Sequence, residues 1–251
     1  NRDKKTIEIK NTLTGDVHEE AYDVLVMAPG ASPVKPRSIG GIDGKNVYTV
    51  RNVADIVHLK DGLEAAGAEN TAVIGGGFIG IEVAENLAKA GKKVTVVEAM
   101  SQILAPFDYD MVQMLHKELL DNGVSLIVDD GVKTIEEKQI TLASGKTVPA
   151  DAVILAIGVA PETGLAKAAG ETGGILVDHN YRTSDKNIYA VGDAIEVFDR
   201  MTGKPSRLAL AGPALRQARA AADAMYGIPN DNRGVIGSCA LRVFGLNAAA
   251  T

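Results

Sequence analysis

One stretch, residues 71–100, constrains the fold more than any other: TAVIGGGFIGIEVAENLAKAGKKVTVVEAM. Residues 71–74 are apolar or β-favouring and run into Gly75, Gly77 and Gly80, the pattern G-x-G-x-x-G. A helical pattern follows and stops near Gly91. Residues 94–97 form a second apolar strand that ends on an acid, Glu98. Strand, glycine turn, helix and strand in this order predict an α/β fold with a parallel, Rossmann-type unit. A bare glycine pattern occurs in many ordinary turns. Here both strands, the helix and the terminal acid stand in register with it, which points to a dinucleotide site. Gly75 permits the tight turn, Gly77 lets a pyrophosphate approach the backbone, and Gly80 lets the helix pack close to the strand. Gly76, Phe78 and Ile79 complete the turn, where free N–H groups and a partial positive charge face the phosphates. Glu98, eighteen residues after Gly80, is placed to accept from ribose hydroxyls.

Bulk properties exclude several classes of function. The 251 residues suit one large or two modest domains, with 46% hydrophobic and 23% charged residues, as in a soluble globular chain. A net charge of -6 argues against nucleic acid or an anionic membrane as partner and leaves a small-molecule substrate. No apolar run reaches the length of a transmembrane helix, and residues 1–10 are too polar for a signal peptide. Cys239 is the single cysteine, so an internal disulfide or a CxxC metal site is excluded. These features predict a cytoplasmic protein. His18, His58, His116 and His179 are scattered without metal-ligand spacing.

Residues 5–10 and 17–22 flank a turn at Gly15 and read as a β-hairpin. The apolar strand 23–28 follows, then a Gly- and Pro-rich loop over 29–44. Residues 109–120 read as a helix whose apolar face carries Met111, Met114, Leu115 and Leu119, capped near Gly123. A third parallel strand is expected over 124–128, and an antiparallel excursion over 133–148 turning at Ser144-Gly145. The apolar run 151–157 predicts a strand at the centre of the sheet, ending at Gly158. Residues 174–177 and 188–191 look like strands, the second ending at Gly192-Asp193, and 213–226 reads as a helix. Residues 234–251 begin a new apolar element with nothing left to pack on.

Several residues admit two readings. Asp193 ends a strand, where ligands gather in α/β folds, but Asp also caps turns well. The strand-and-turn of residues 24–33, taken alone, is a structural turn. Phe78 sits at the mouth of the nucleotide site, or simply packs there. Glu82, one turn into the helix, also complements the dipole. Cys239 lies in an apolar run and reads as a buried inert thiol more readily than as a nucleophile.

Taken together, four blocks resemble the FAD- and NAD(P)H-dependent pyridine nucleotide–disulfide oxidoreductases, in the branch of NADH oxidase, NADH peroxidase and coenzyme A-disulfide reductase. They are YDVLVMAPGASP at residues 22–33, the glycine turn at 73–82, ILAIGVAP at 154–161 and NIYAVGD at 187–193. LAGP at 210–213, with the Arg216–Arg219 stretch, resembles the segment that touches the flavin ring. The resemblance implies that Gly75–Gly80, Ile157 and Gly158 bind NADH, with Glu98 on the adenosine ribose. It implies that Asp193 holds the flavin ribityl chain, that Ala28 and Gly30 form a flavin-side turn, and that Leu210, Ala211 and Gly212 approach the ring. Phe78 would gate the passage between nicotinamide and flavin. No catalytic residue and no metal ligand is assigned.

The sequence departs from that pattern. Family members open with an FAD fingerprint and a helix bearing a redox cysteine, and neither is present in these 251 residues. Pro29 stands where the family carries Thr, so a hydroxyl contact is lost. Residues 136–139 and 170–173 look shortened. The expectation is an interior portion of a longer reductase, or a separate domain. Residues 1–68 and 182–233 would form a partial FAD-binding domain, 69–181 the NAD-binding domain inserted in it, and 234–251 the start of a truncated dimerisation domain of a homodimeric parent. The parent would pass hydride from NADH to FAD and on to a disulfide, peroxide or oxygen. The alternative is a stand-alone nucleotide-binding module without turnover. A direct NAD-dependent dehydrogenase would need an acid/base constellation that the chain does not show.

Overall fold

The computed structural model describes residues 1–166, 170–229 and 234–251. They divide into two compact units. One comprises residues 32–160 and 238–251, and the other residues 1–31 and 161–237.

The first unit is built on a five-stranded parallel sheet. Its order is Val47–Thr49, Ala152–Leu155, Asn70–Ile74, Lys93–Val97 and Ser125–Ile127. Residue alternation along these strands sends two apolar sets to opposite faces. Val73, Val94, Val96 and Ile154 join one core with the helices Val53–Ala65, Phe78–Lys89 and Tyr109–Asp121. Ala72, Ile74, Val97, Val153 and Leu155 join a second core with Ile135, Ile140, Leu142 and Val148. These last four belong to a three-stranded antiparallel meander, Val132–Ile135, Gln139–Leu142 and Thr147–Pro149. The sheet thus has helices on one face and the expected excursion on the other. Ala152–Leu155 is buried along its whole length and flanked on both sides, though the middle strand is Asn70–Ile74.

Helix Val53–Ala65 is absent from the sequence reading, yet it is signalled locally. Asn52 Oδ1 accepts the Asp55 N–H at 3.1 Å, and Asp55 Oδ2 accepts the Asn52 N–H at 3.2 Å. That reciprocal pair satisfies two donors at the helix start. Helix Tyr109–Asp121 lies where expected, but its buried face is corrected. Val112, Leu115 and Leu119 are buried, whereas Met111 and Met114 are about half exposed. The tail expectation is also corrected. Strands Cys239–Val243 and Leu246–Ala250 form a hairpin whose Leu241 and Val243 are buried in the helix-side core. Its turn is tied down by Glu118 Oε1, which accepts the Gly245 N–H at 2.9 Å.

The second unit contains the hairpin Thr6–Lys10 and Val17–Ala21, turning through Gly15, as expected. Strand Leu25–Met27 pairs in parallel with Ile188–Ala190. A single 3-10 turn, Gly192–Ala194, follows the latter strand, and helix Ala211–Met225 closes the unit. Its core gathers Ile175, Tyr181, Tyr189, Val191, Ile195 and Ala221. Residues 174–177 do not form the expected strand; Ile175 makes one isolated parallel bridge to Ile195.

The unit limits differ from those expected of the domains. Residues 32–68 belong with the nucleotide-type sheet, because Val47–Thr49 is its edge strand and Leu59 and Leu63 pack in its core. Residues 161–181 belong with the other unit. The expected boundary at 233/234 falls on residues outside those described. No helix among the described residues is long and apolar enough to cross a membrane.

Candidate functional site: the glycine turn and the second strand-end turn

The Asn70–Ile74 strand delivers the chain to Gly75, whose φ of +104 suits glycine alone. Gly75 N–H donates to Val97 C=O at 2.8 Å, which holds the turn against the neighbouring strand. A Cβ at Gly75 would meet the Ala156 carbonyl, so the segment Ala156–Gly158 passes directly beneath the turn. Gly158 itself is exposed with φ +106, and Ile157 is half-buried. At Gly80 a Cβ would collide with the Gly75 carbonyl oxygen. The expected close packing of helix on turn is therefore physical.

Gly77 is different. It is the N-cap of helix Phe78–Lys89, and a Cβ there would meet nothing within 4 Å. No side chain caps this helix, and its first internal bond runs from Ile81 N–H to Gly77 C=O at 3.0 Å. The helix start thus keeps backbone donors that no side chain caps, beside an open position at Gly77, the arrangement that receives a phosphate. Phe78 is half-buried and its ring stands 6.3 Å from that of Phe107, so it packs. Ile79 is exposed beside it.

Glu98 has a role that the sequence did not show. Its Oε2 accepts the Gly76 N–H at 2.6 Å and its Oε1 accepts the Met100 N–H at 2.8 Å. The carboxylate therefore ties the glycine turn to the loop after the second strand. Each oxygen keeps a further lone pair with which to accept a hydroxyl. The groups present fit a dinucleotide: backbone N–H donors for the pyrophosphate, and an accepting carboxylate at the end of the adjacent strand for ribose hydroxyls.

The other unit presents a second turn. Asp193 is half-buried directly after Gly192, φ +81, at the carboxyl end of strand Ile188–Ala190. Its carboxylate accepts no hydrogen bond from any described residue, so it does not act as a cap. The Gly192 N–H instead donates at 2.7 Å to Oε1 of Gln217, which is 1% exposed. Sequence reasoning missed Gln217. The available signal was its four-residue spacing from Pro213 and Ala221 on the buried stripe of helix Ala211–Met225. Leu210 is that helix's N-cap, and Ala211 and Gly212 are exposed at a helix start without a side-chain cap. Ala28 is exposed, and Gly30, φ +75, accepts the Glu162 N–H at 2.9 Å. Cys239 is half-buried, with Sγ 3.7 Å from the Ala250 carbonyl oxygen. Among the described residues no group of His, Cys, Asp and Glu could hold a metal ion.

A parallel sheet carrying this glycine turn defines a Rossmann-type nucleotide-binding protein, with a second α/β unit that has its own strand-end turn. The chain belongs to the pyridine nucleotide-disulphide oxidoreductase family, whose profile matches residues 1–221. It is 35% identical over 244 residues to an NADH oxidase of Methanocaldococcus jannaschii, covering 94% of this chain and 54% of that one. Among solved structures it resembles reduced CoADR-RHD of Bacillus anthracis, with 43% identity and a TM-score of 0.96. That match covers 99% of this chain and 46% of the other. The water-forming NADH oxidase of Lactobacillus brevis bound to NADH matches at 29% identity and TM-score 0.89, over 97% of this chain and 55% of the other. The chain thus spans about half the length of these relatives.

Proposed function

We propose that this chain is the NADH-binding region of a flavin-dependent oxidoreductase. The observation that carries the reading is the start of helix Phe78–Lys89, which no side chain caps and where a Cβ on Gly77 would meet nothing within 4 Å. The N–H groups of that first turn would bind the pyrophosphate of NADH, and Glu98 would accept from the adenosine ribose. Ile157 and Gly158 would line the site beneath the turn. In the second unit, the unpartnered Asp193 carboxylate would accept from the ribityl hydroxyls of FAD. The Ala28–Gly30 turn and Leu210, Ala211 and Gly212 would flank the same cofactor. When bound, the flavin would take hydride from NADH and deliver electrons to a disulfide, peroxide or oxygen. The residues named here bind and orient; the reactive atoms belong to the cofactors. Phe78 would gate the nicotinamide end, a role that must coexist with its packing on Phe107.

The test is a calorimetric titration with NADH and with NADPH. NADH is expected to bind at least about tenfold more tightly, because a 2′-phosphate would meet the Glu98 carboxylate as like charge. No arginine lies in residues 99–106 to neutralise it. Glu98→Ala is expected to narrow the gap and weaken both nucleotides, since the Gly76 and Met100 N–H groups lose their acceptor. Equal binding of both nucleotides by the unsubstituted chain would refute the ribose assignment. A protein that binds NADH but takes up no FAD, read from its visible spectrum, would favour the module without turnover.

A further inference from the structure

We propose that His116 is a positioning residue for nucleotide binding: by accepting the Ile103 N–H it holds the segment 101–107 against the glycine turn. The proposal rests on the reading of that turn as the nucleotide site. His116 lies on helix Tyr109–Asp121, beside the buried Leu115 and Leu119. Its Nε2 accepts the Ile103 N–H at 3.3 Å. Ile103 and Leu104 are 0% and 1% exposed. The Leu104 N–H donates to Gly76 C=O at 2.8 Å. The Ile103 side chain lies so close that a Cβ on Gly76 would stand 2.5 Å from its Cγ2. Gly76 is thereby fixed on three sides: its N–H by Glu98, its C=O by Leu104 and its Cα by Ile103. Gly77 and the helix start follow directly, so the aim of their N–H groups depends on this bracket.

The bracket is itself held in an uncommon conformation. Leu104 has φ +50, which a non-glycine residue adopts only where its surroundings enforce it. Phe107 N–H donates to Leu104 C=O at 2.9 Å, and Gln102 Nε2 donates to Phe107 C=O at 2.9 Å. These bonds are internal to the segment. The bond to His116 ties it to the helix, and sequence reading gave this histidine no role.

Only the neutral imidazole can accept at Nε2, since an imidazolium has no lone pair there. Burial holds the His116 pKa below its ordinary value. The accepting form is therefore fully present above about pH 6.5, and is lost as pH falls through the lowered value. Among the described residues, the strands packed most closely on the helix, Ser125–Ile127 and Cys239–Val243, carry one charge, that of Arg242. One turn away on the helix are Val112, Gln113, Leu119 and Leu120, and neither residues 101–107 nor strand Ser125–Ile127 carries a charge. Arg242 on strand Cys239–Val243 is exposed, and its Nε donates to the Phe244 carbonyl.

The experiment measures the Kd of ADP-ribose for the full chain by calorimetry. This probe carries the pyrophosphate and both riboses without the acid-labile dihydronicotinamide. His116→Leu is expected to weaken binding about three- to tenfold, and His116→Gln, which keeps an acceptor, to restore it to within about twofold. As pH falls from about 8 through the lowered His116 value, the unsubstituted chain should lose affinity while the Gln variant does not. Unchanged binding by His116→Leu, failure of rescue by His116→Gln, or an acid loss that persists in the Gln variant would each overturn the proposal. Should His116→Leu fail to fold, the Gln variant and the two pH profiles decide alone. Failure of the unsubstituted chain to bind at pH 8 would bring down the nucleotide reading and this proposal together. Binding that ignores His116 brings down the proposal only.

Discussion

Single carboxylates do much of the tying in the sheet-based unit. Glu98 joins the glycine turn to the loop after its neighbouring strand. At the opposite end of the same strands, Asp151 Oδ2 accepts the Glu69 and Asn70 N–H groups at 3.1 and 2.9 Å. The Asn70 side chain adds a third bond at 3.2 Å, and Lys138 lies 3.2 Å from Oδ1. The Asn70 backbone bond leads in holding the Asp151 pKa down to about 2, against the opposing effect of burial. The group ionises more readily folded than unfolded. Its stabilisation is thus complete above about pH 4 and is lost as pH falls toward about 2. Asp151→Asn is expected to cost about 1–3 kcal/mol at pH 7, read by urea denaturation. The difference from the unsubstituted chain should shrink steadily below about pH 4. A gap that is the same at pH 7 and pH 3 would show that charge plays no part. No local pattern marks Asp151, because its backbone partners lie 81 and 82 positions away.

Elements were legible where local chemistry and packing agreed. The turn at Gly75–Gly80, both strands beside it, and helix Phe78–Lys89 follow from patterns that their own residues impose. The hairpin at Thr6–Lys10 and Val17–Ala21 is equally local. Reading failed where a tertiary contact decides. On helix Tyr109–Asp121, Met111 and Met114 satisfy helical spacing as well as Val112 does, and only the neighbouring sheet selects Val112 for burial. The tail hairpin had no visible partner in sequence, yet it packs on two helices of the nucleotide-type unit. Glu85, 7% exposed on helix Phe78–Lys89, receives the Phe244 backbone N–H and pairs with Lys89. Lys89 Nζ also stands 5.8 Å over the Phe244 ring. Leu241→Ala should therefore destabilise this unit by about 2–4 kcal/mol in denaturant unfolding. A loss below about 0.5 kcal/mol would mean that the hairpin is an appendage rather than part of the core.

Across the chain as a whole, local patterns mark the turns and strands more readily than the limits of the units. The resemblance drew boundaries by motif, whereas the chain divides by core. The helix-side and meander-side cores contain residues only from 32–160 and 238–251. The third core draws only on residues 1–31 and 161–237. Among the described residues each unit has its own buried core, and so its own hydrophobic driving force. Scanning calorimetry is accordingly expected to resolve two unfolding transitions. A nucleotide that binds the glycine turn should raise only the transition of the sheet-based unit. At about a hundredfold excess over Kd the stabilisation is about 2.7 kcal/mol, a shift on the order of 5–10 °C. Leu241→Ala supplies the assignment, because it must lower the same transition that NAD⁺ raises. Two transitions that move together with nucleotide, or a single one that moves as a whole, would show that the units unfold as one. A nucleotide shift confined to the transition that Leu241→Ala leaves untouched would place the binding site outside the glycine turn.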